Sequence, residues 1–187
     1  MFKEEEGLLI GRIEMTHKRV GTCLLTETTP LTATYWMCGD PVPFANRLRG
    51  EYAPISEGAG WGKDMESAWF HLTGTVPAAW AGSPVVAWLD IDTEGLLFHP
   101  DGTPLQAISA GSVFDTTTWK CNRPLVHLFT ACAGSEAIDL WLEGACPVRQ
   151  PEEYYDEPTP RCNRAETPQP CGVVKRLRLG RFNADAW

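Results

Sequence analysis

Residues 67–108 hold three β-type runs separated by hard turn punctuation, and this stretch limits the fold more than any other part of the chain. From 67 to 76 the residues alternate. Phe70, Leu72, Gly74 and Val76 fall on one face and Trp69, His71, Thr73 and Thr75 on the other, until Pro77 removes a ladder donor. Residues 85–89 form a short apolar run rich in Val with one Trp, and residues 95–99 form another; both fit strands buried on at least one face. Between His99 and Thr103 lies Pro100-Asp101-Gly102. There Pro presets φ, Asp hydrogen-bonds its own backbone and Gly accepts positive φ, so a tight hairpin is expected.

The rest of the chain frames this stretch. Residues 4–20 read as a helix, with Leu9, Ile10, Ile13, His17 and Val20 roughly along one face, acidic residues at its start, and Gly21 after it. Its narrow apolar stripe could dock on the β-type runs or on something outside this chain. Residues 22–51 show no sustained period; 41–43 read as extended and 31–37 as an edge strand. Residues 124–130 give a further strand. Residues 137–143 alternate cleanly, with Ile138, Leu140 and Leu142 inward and Asp139, Trp141 and Glu143 outward. Residues 147–172 shift to Pro, Glu, Tyr and Asn and read as a long loop. Leu177 and Leu179 restore alternation, and Asn183 reads as the N-cap of a helix that has just begun. An unfinished helix there suggests a domain of a longer protein. The expected organisation is therefore a helix and lead-in segment over 1–50 and a mainly-β domain over 51–187, together one structural unit; that the domain is a β-sandwich is what the resemblance given below implies.

Charge and cysteine usage exclude several classes of function. A net charge of −8 opposes nucleic-acid and anionic-membrane surfaces, which need a basic patch. The one basic cluster, Lys175, Arg176, Arg178 and Arg181, alternates with apolar residues and reads as a solvated strand face. No run approaches the roughly 18 apolar residues of a membrane span, and the first residues lack the apolar centre of a signal peptide. Seven irregularly spaced cysteines suit reduced thiols better than a disulfide framework, so a cytoplasmic chain is expected.

Sites for chemistry are few. Residues 57–62 are glycine-rich, but a β run follows where a phosphate loop needs a helix. Asp90, Asp92 and Glu94, with Asp101 later, imitate the start of a calcium loop, yet β-type runs flank them. The same trio shares a strand face and could supply a glycosidase's carboxylate pair, but nothing in the sequence provides the burial that would raise one pKa. The four histidines lack zinc spacing, and Cys162 with Cys171 has no second pair nearby. No catalytic residue and no metal site is expected. Eight tryptophans invite a different reading, because aromatic faces stack on sugar rings. Trp69, Trp88 and Trp141 fall on strands and are expected in packing. Trp61 and Trp80 fall at turns and, with Glu94, are the candidates for carbohydrate contact, but burial against a neighbouring domain is the favoured role.

Trp69, Phe70, Val76, Pro77, Trp80, Gly82, Glu94, Gly95, Asp101, Gly102, Pro104 and Gln106 stand in an order that resembles the N-terminal β-sandwich of glycoside hydrolase family 38 α-mannosidases, in their cytosolic and vacuolar branch. Residues 140–146, 177–187 and Trp61-Gly62 agree in order. The resemblance implies a mainly-β sandwich of jelly-roll, galactose-binding type, with a helix before it and the start of another after it. It also implies a parent enzyme that hydrolyses terminal α-mannosides with retention. In that family zinc and the nucleophilic aspartate belong to a barrel that follows this domain, and no stretch here matches their motifs. The expected role is a non-catalytic accessory domain with no cofactor of its own. Its partner is the catalytic domain of the same polypeptide, with carbohydrate and a homo-oligomer as further possibilities. A free-standing carbohydrate-binding module is the alternative. The module needs an open aromatic site; the accessory domain needs an apolar docking patch.

Overall fold

The computed structural model describes residues 2–109, 124–146 and 170–186. Helix α1 (Phe2–Cys23) runs past Gly21, with the Thr22 hydroxyl donating to the Arg19 carbonyl. Two antiparallel sheets follow. The smaller has the order β1 (Leu25–Pro30), β12 (Arg176–Phe182), β6 (Val85–Asp90), β9 (Leu125–Phe129). The larger has the order β3 (Ala53–Ile55), β2 (Thr32–Gly39), β5 (Ser67–Thr75), β10 (Ala137–Ala145), β7 (Glu94–Phe98), β8 (Pro104–Ser109). A two-residue ladder joins β4 (Gly60–Trp61) to β11 (Gly172–Val173).

The sandwich expected from the sequence is present, and its core comes from the alternating residues. Phe70, Leu72, Leu97, Ile138, Leu140 and Leu142 of the large sheet meet Val85, Ala87, Leu89, Val126, Leu177 and Leu179 of the small one in a single cluster. β5 and β10 pair without a slip, from Ser67 opposite Ala145 to Thr75 opposite Ala137. A shift of one residue would turn every one of those apolar side chains outward, so burial fixes the register. The hairpin forms as its residues dictate. His99 N–H bonds the Thr103 carbonyl at 2.9 Å, Gly102 N–H bonds the His99 carbonyl at 3.0 Å, Gly102 has φ +92°, and the Asp101 carboxylate accepts from Thr103 N–H at 2.8 Å.

Two expectations change and two gain detail. First, residues 25–39 are not a lead-in: β1 and β2 belong to the two sheets, so the sandwich starts well before residue 51. Second, β2 is not an edge strand, because the three-residue β3 pairs along its outer side. Third, the element begun at Asn183 is, among the described residues, a short 3-10 turn, Ala184–Ala186, whose Ala186 N–H bonds the Asn183 carbonyl at 3.2 Å. The Asn183 side chain donates to the Cys23 carbonyl at 3.1 Å, tying the end of β12 to the end of α1. Fourth, Trp141 points away from the main core, and the packing expected of it comes from this chain itself. Residues 40–52, including a 3-10 turn at Phe44–Arg49, roof the outer face of the large sheet and convert it into a second, aromatic core. The Trp69 indole donates to the Val42 carbonyl at 2.9 Å, and the Arg47 guanidinium sits 3.7 Å from the Phe44 ring centre and 4.5 Å from that of Trp141. His71 stacks on Trp141 at 4.1 Å, and Tyr52 meets it edge-on at 5.8 Å. Burial pushes the Tyr52 hydroxyl up to about 12. The Thr-rich residues 112–119, Cys162 and the Pro-rich loop as far as residue 169 lie outside the described residues.

Candidate functional site

The structure separates the three residues put forward for sugar contact. Trp61 and Trp80 are each only 2% exposed, so neither offers a face to a sugar ring; both are buried, as favoured, but by this domain's own residues rather than by a neighbouring domain. The reason is long-range. β4 is pulled in by its pairing with β11, which sets the Trp61 ring edge-on against Phe70 at 5.0 Å with its indole N–H on the Ile91 carbonyl at 2.9 Å. Gly172 and Gly144 press on that ring, and a Cβ on either would meet it within 3 Å. Trp80 closes a 3-10 turn after Pro77. Its carbonyl accepts from Ser83 N–H and its indole N–H donates to the Glu27 carboxylate at 2.8 Å. Glu94 is exposed at the start of β7, opposite Ser109 and Ala145, with neither tryptophan on its strand or as its partner.

The acidic trio does not share a strand face. β6 ends at Asp90, whose carboxylate accepts from Asp92 N–H at 2.9 Å; Asp92 takes φ +64° and pairs with Lys175. The trio thus builds the turn between β6 and β7. Of the basic cluster, Arg178 forms a two-pronged pair with Glu57 at 2.8 Å on both oxygens, and Arg176 lies over Trp88. Among the described residues no group of three His, Cys, Asp or Glu side chains is placed to hold a metal ion.

Two surfaces remain unexplained by the fold. The first is apolar. Leu8, Leu9, Ile10, Ile13, Met15 and Val20 of α1 are 39–70% exposed, and none of them enters the core. At the foot of the helix a groove of about 450 Å³ on the small sheet is lined by Leu24, Leu25, Trp88, Pro124 and Leu125, with Thr28 among them. Leu9, Ile10, Ile13 and Val20 belong to the stripe legible in the sequence; that it would find no partner among the described residues of the sandwich was not legible. No described helix is long and apolar enough to cross a membrane.

The second surface is polar. Beside the turn that carries Trp80 is a cleft of about 360 Å³ lined by Thr26, Gly82, Ser83, Arg181, Asn183 and Asp185 among others. Its floor is a chain of hydrogen bonds. Trp80 holds one oxygen of Glu27, the other oxygen accepts from Arg181 Nη1 at 3.0 Å, and Arg181 Nε donates to the Ser83 hydroxyl at 3.0 Å. The indole bond, then Arg181, holds the Glu27 carboxyl below its usual range. The sequence signal for this array was faint. Arg181 falls where alternation from Leu177 and Leu179 predicts an inward residue, and Glu27 lies in a run of threonines.

The family described as "Alpha-mannosidase, jelly roll domain" matches residues 29–160. Human alpha-mannosidase 2C1 is 29% identical over 68 residues, which cover 36% of this chain and 6% of that protein. The chain therefore matches only a small part of that relative's length. A β-glucuronidase structure from Ruminococcus gnavus aligns with a TM-score of 0.43 at 8% identity, over 64% of this chain and 20% of that one. The same enzyme in complex with uronic deoxynojirimycin aligns with a TM-score of 0.44 at 7% identity, over 84% and 27%. With a sandwich of the expected kind and a family match over most of its length, the chain belongs to the α-mannosidase jelly-roll domain family.

Proposed function

We propose that this chain is a non-catalytic accessory domain of an α-mannosidase and works by docking on a catalytic barrel of the same polypeptide. The observation that carries this reading is the uncovered apolar side of α1. A 22-residue helix with three glycines is marginal in water on its own propensity, and most helix stability comes from packing an apolar face. Each Leu or Ile buried there contributes about 1.5–3 kcal/mol, so a partner that covers the stripe fixes the helix as well. The groove at the foot of the helix extends the same apolar surface. A free-standing binding module is less well supported, since Trp61 and Trp80 present indole edges inward instead of faces outward. The hydrolytic chemistry, including zinc, is assigned by this reading to the barrel. Thiols at Cys23, Cys38 and Cys132 suit a reducing compartment, in keeping with a cytoplasmic protein.

The test is to mix the chain with the separately produced remainder of its polypeptide and measure association by calorimetry. Saturable binding is expected, and Leu9→Glu with Ile13→Glu should abolish it while leaving the sandwich's melting temperature within about 1 °C, because exposed substitutions cost little. Absence of association, or association indifferent to the double substitution, refutes the docking role. Mannoside turnover by the pure chain refutes the non-catalytic one.

A further inference from the structure

We infer that the cleft beside Trp80 is a weak binding site for a neutral polyhydroxylated ligand, such as a single hexose ring or the terminal ring of a glycan. Arg181 is fixed from behind by Glu27 and Ser83 through Nη1 and Nε, and its Nη2 makes no hydrogen bond with any described residue. Asn183 uses its backbone N–H on the Leu24 carbonyl and its side-chain nitrogen on the Cys23 carbonyl, which leaves its side-chain oxygen as an acceptor. Asp185 adds an exposed carboxylate, and Thr26 and Ser83 add hydroxyls. Donors and acceptors therefore line the same small space. A sugar hydroxyl is both donor and acceptor, so adjacent hydroxyls on one ring can satisfy both kinds at once.

Charge selects against the other polar ligands. One guanidinium stands with two carboxylates, Glu27 and Asp185, so the cleft and its support carry a net negative charge and repel phosphate or carboxylate groups. Shape supports the same class. Gly82, at φ +79°, has no atom within 4 Å of where a Cβ would be, which keeps that wall open, and the volume lies at the lower end of small-ligand pockets. Trp80 takes part through its N–H, setting the Glu27–Arg181 array before any ligand arrives. Without an exposed aromatic face the site gains no stacking, and its affinity is millimolar. This inference stands apart from the docking role: the isolated chain tests it with sugar alone, so either reading can fail without the other.

The experiment is a titration of the ¹⁵N-labelled chain with methyl α-D-mannopyranoside, following the Trp80 indole N–H and the Gly82 and Ser83 amide resonances, with inorganic phosphate as a parallel probe. Saturable millimolar shifts are expected with the mannoside and none with phosphate. Ser83→Ala and Asp185→Asn should each weaken binding about three- to tenfold, the range for one lost hydrogen bond. If Ser83→Ala melts early, Asp185→Asn decides alone, because that side chain is exposed. No saturable shift overturns the site, undiminished binding in Asp185→Asn places the ligand elsewhere, and saturation by phosphate makes it an anion site instead.

Discussion

Replacing Trp61 distinguishes a buried structural anchor from a ligand platform by a large margin. A fully buried indole removes about 150–250 Å² from water, worth about 4–6 kcal/mol at 25 cal/mol per Å². Trp→Ala changes in cores accordingly cost about 3–5 kcal/mol. Trp61→Ala should fall in that range, because its ring touches Phe70, Gly144 and Gly172 and the two glycines have no side chain with which to refill the space. At about 2–4 °C per kcal/mol for a domain of this size, the melting temperature should drop by roughly 6–20 °C. Trp61→Phe keeps a ring against Phe70 but leaves the Ile91 carbonyl without its 2.9 Å donor, so its cost should be smaller, about 1–3 kcal/mol. The assay is urea and thermal unfolding of both variants followed by far-UV circular dichroism. A surface tryptophan would change stability by no more than about 0.5 kcal/mol. A cost below about 1 kcal/mol for Trp61→Ala would refute the packing account and return Trp61 to the surface.

Three further outcomes follow from the same structure. Gly50→Ala should destabilise by about 1–3 kcal/mol, read by urea midpoint, because its Cβ would fall 1.9 Å from the Trp36 ring and force the roof over the large sheet to move. Glu143 is half-buried and burial raises its carboxyl above 4.5; ionising it costs folded-state stability as pH rises through that raised value, so Glu143→Gln should raise the melting temperature at pH 7 and leave it unchanged at pH 3. Glu57 has the opposite sign. The Arg178 pair holds it below 4.5, so its contribution is present above the unfolded pKa and disappears as pH falls through the folded one. Glu57→Gln should cost about 1–3 °C at pH 7, with the difference closing below pH 4.5.

The parts of the fold that were legible are those a local pattern determines. Alternation from Phe70 to Leu72 and from Ile138 to Leu142 reports one buried face, and Pro100-Asp101-Gly102 specifies its own turn. Alternation also assumes that the other face is wet, and Trp141 shows where this breaks down: the roof over it comes from residues nearly a hundred positions away, held by Arg47 contacts that have no period. What buries Trp61 is hidden from the sequence for a similar reason. Gly60-Trp61 looks like a loop until β11 pairs with it across more than a hundred residues. The polar cleft was hidden more deeply, since Glu27, Ser83 and Arg181 come from three distant segments and only the β1–β12 and β6–β12 ladders bring them together. Sequence patterns report faces; they do not report which segments cover them.

The strand order of the small sheet sets a timetable for synthesis. β12 lies between β1 and β6, so the first strand made finds its neighbour only in the last. Thr26 and Arg181 are 155 residues apart, and at about 5–20 residues per second a ribosome takes roughly 8–30 s to span them. Throughout that interval β1 carries open backbone donors and acceptors behind a helix with an apolar side. The domain is therefore most exposed to misassociation while it is being made, and chaperone dependence should concentrate in that window and end when β12 emerges.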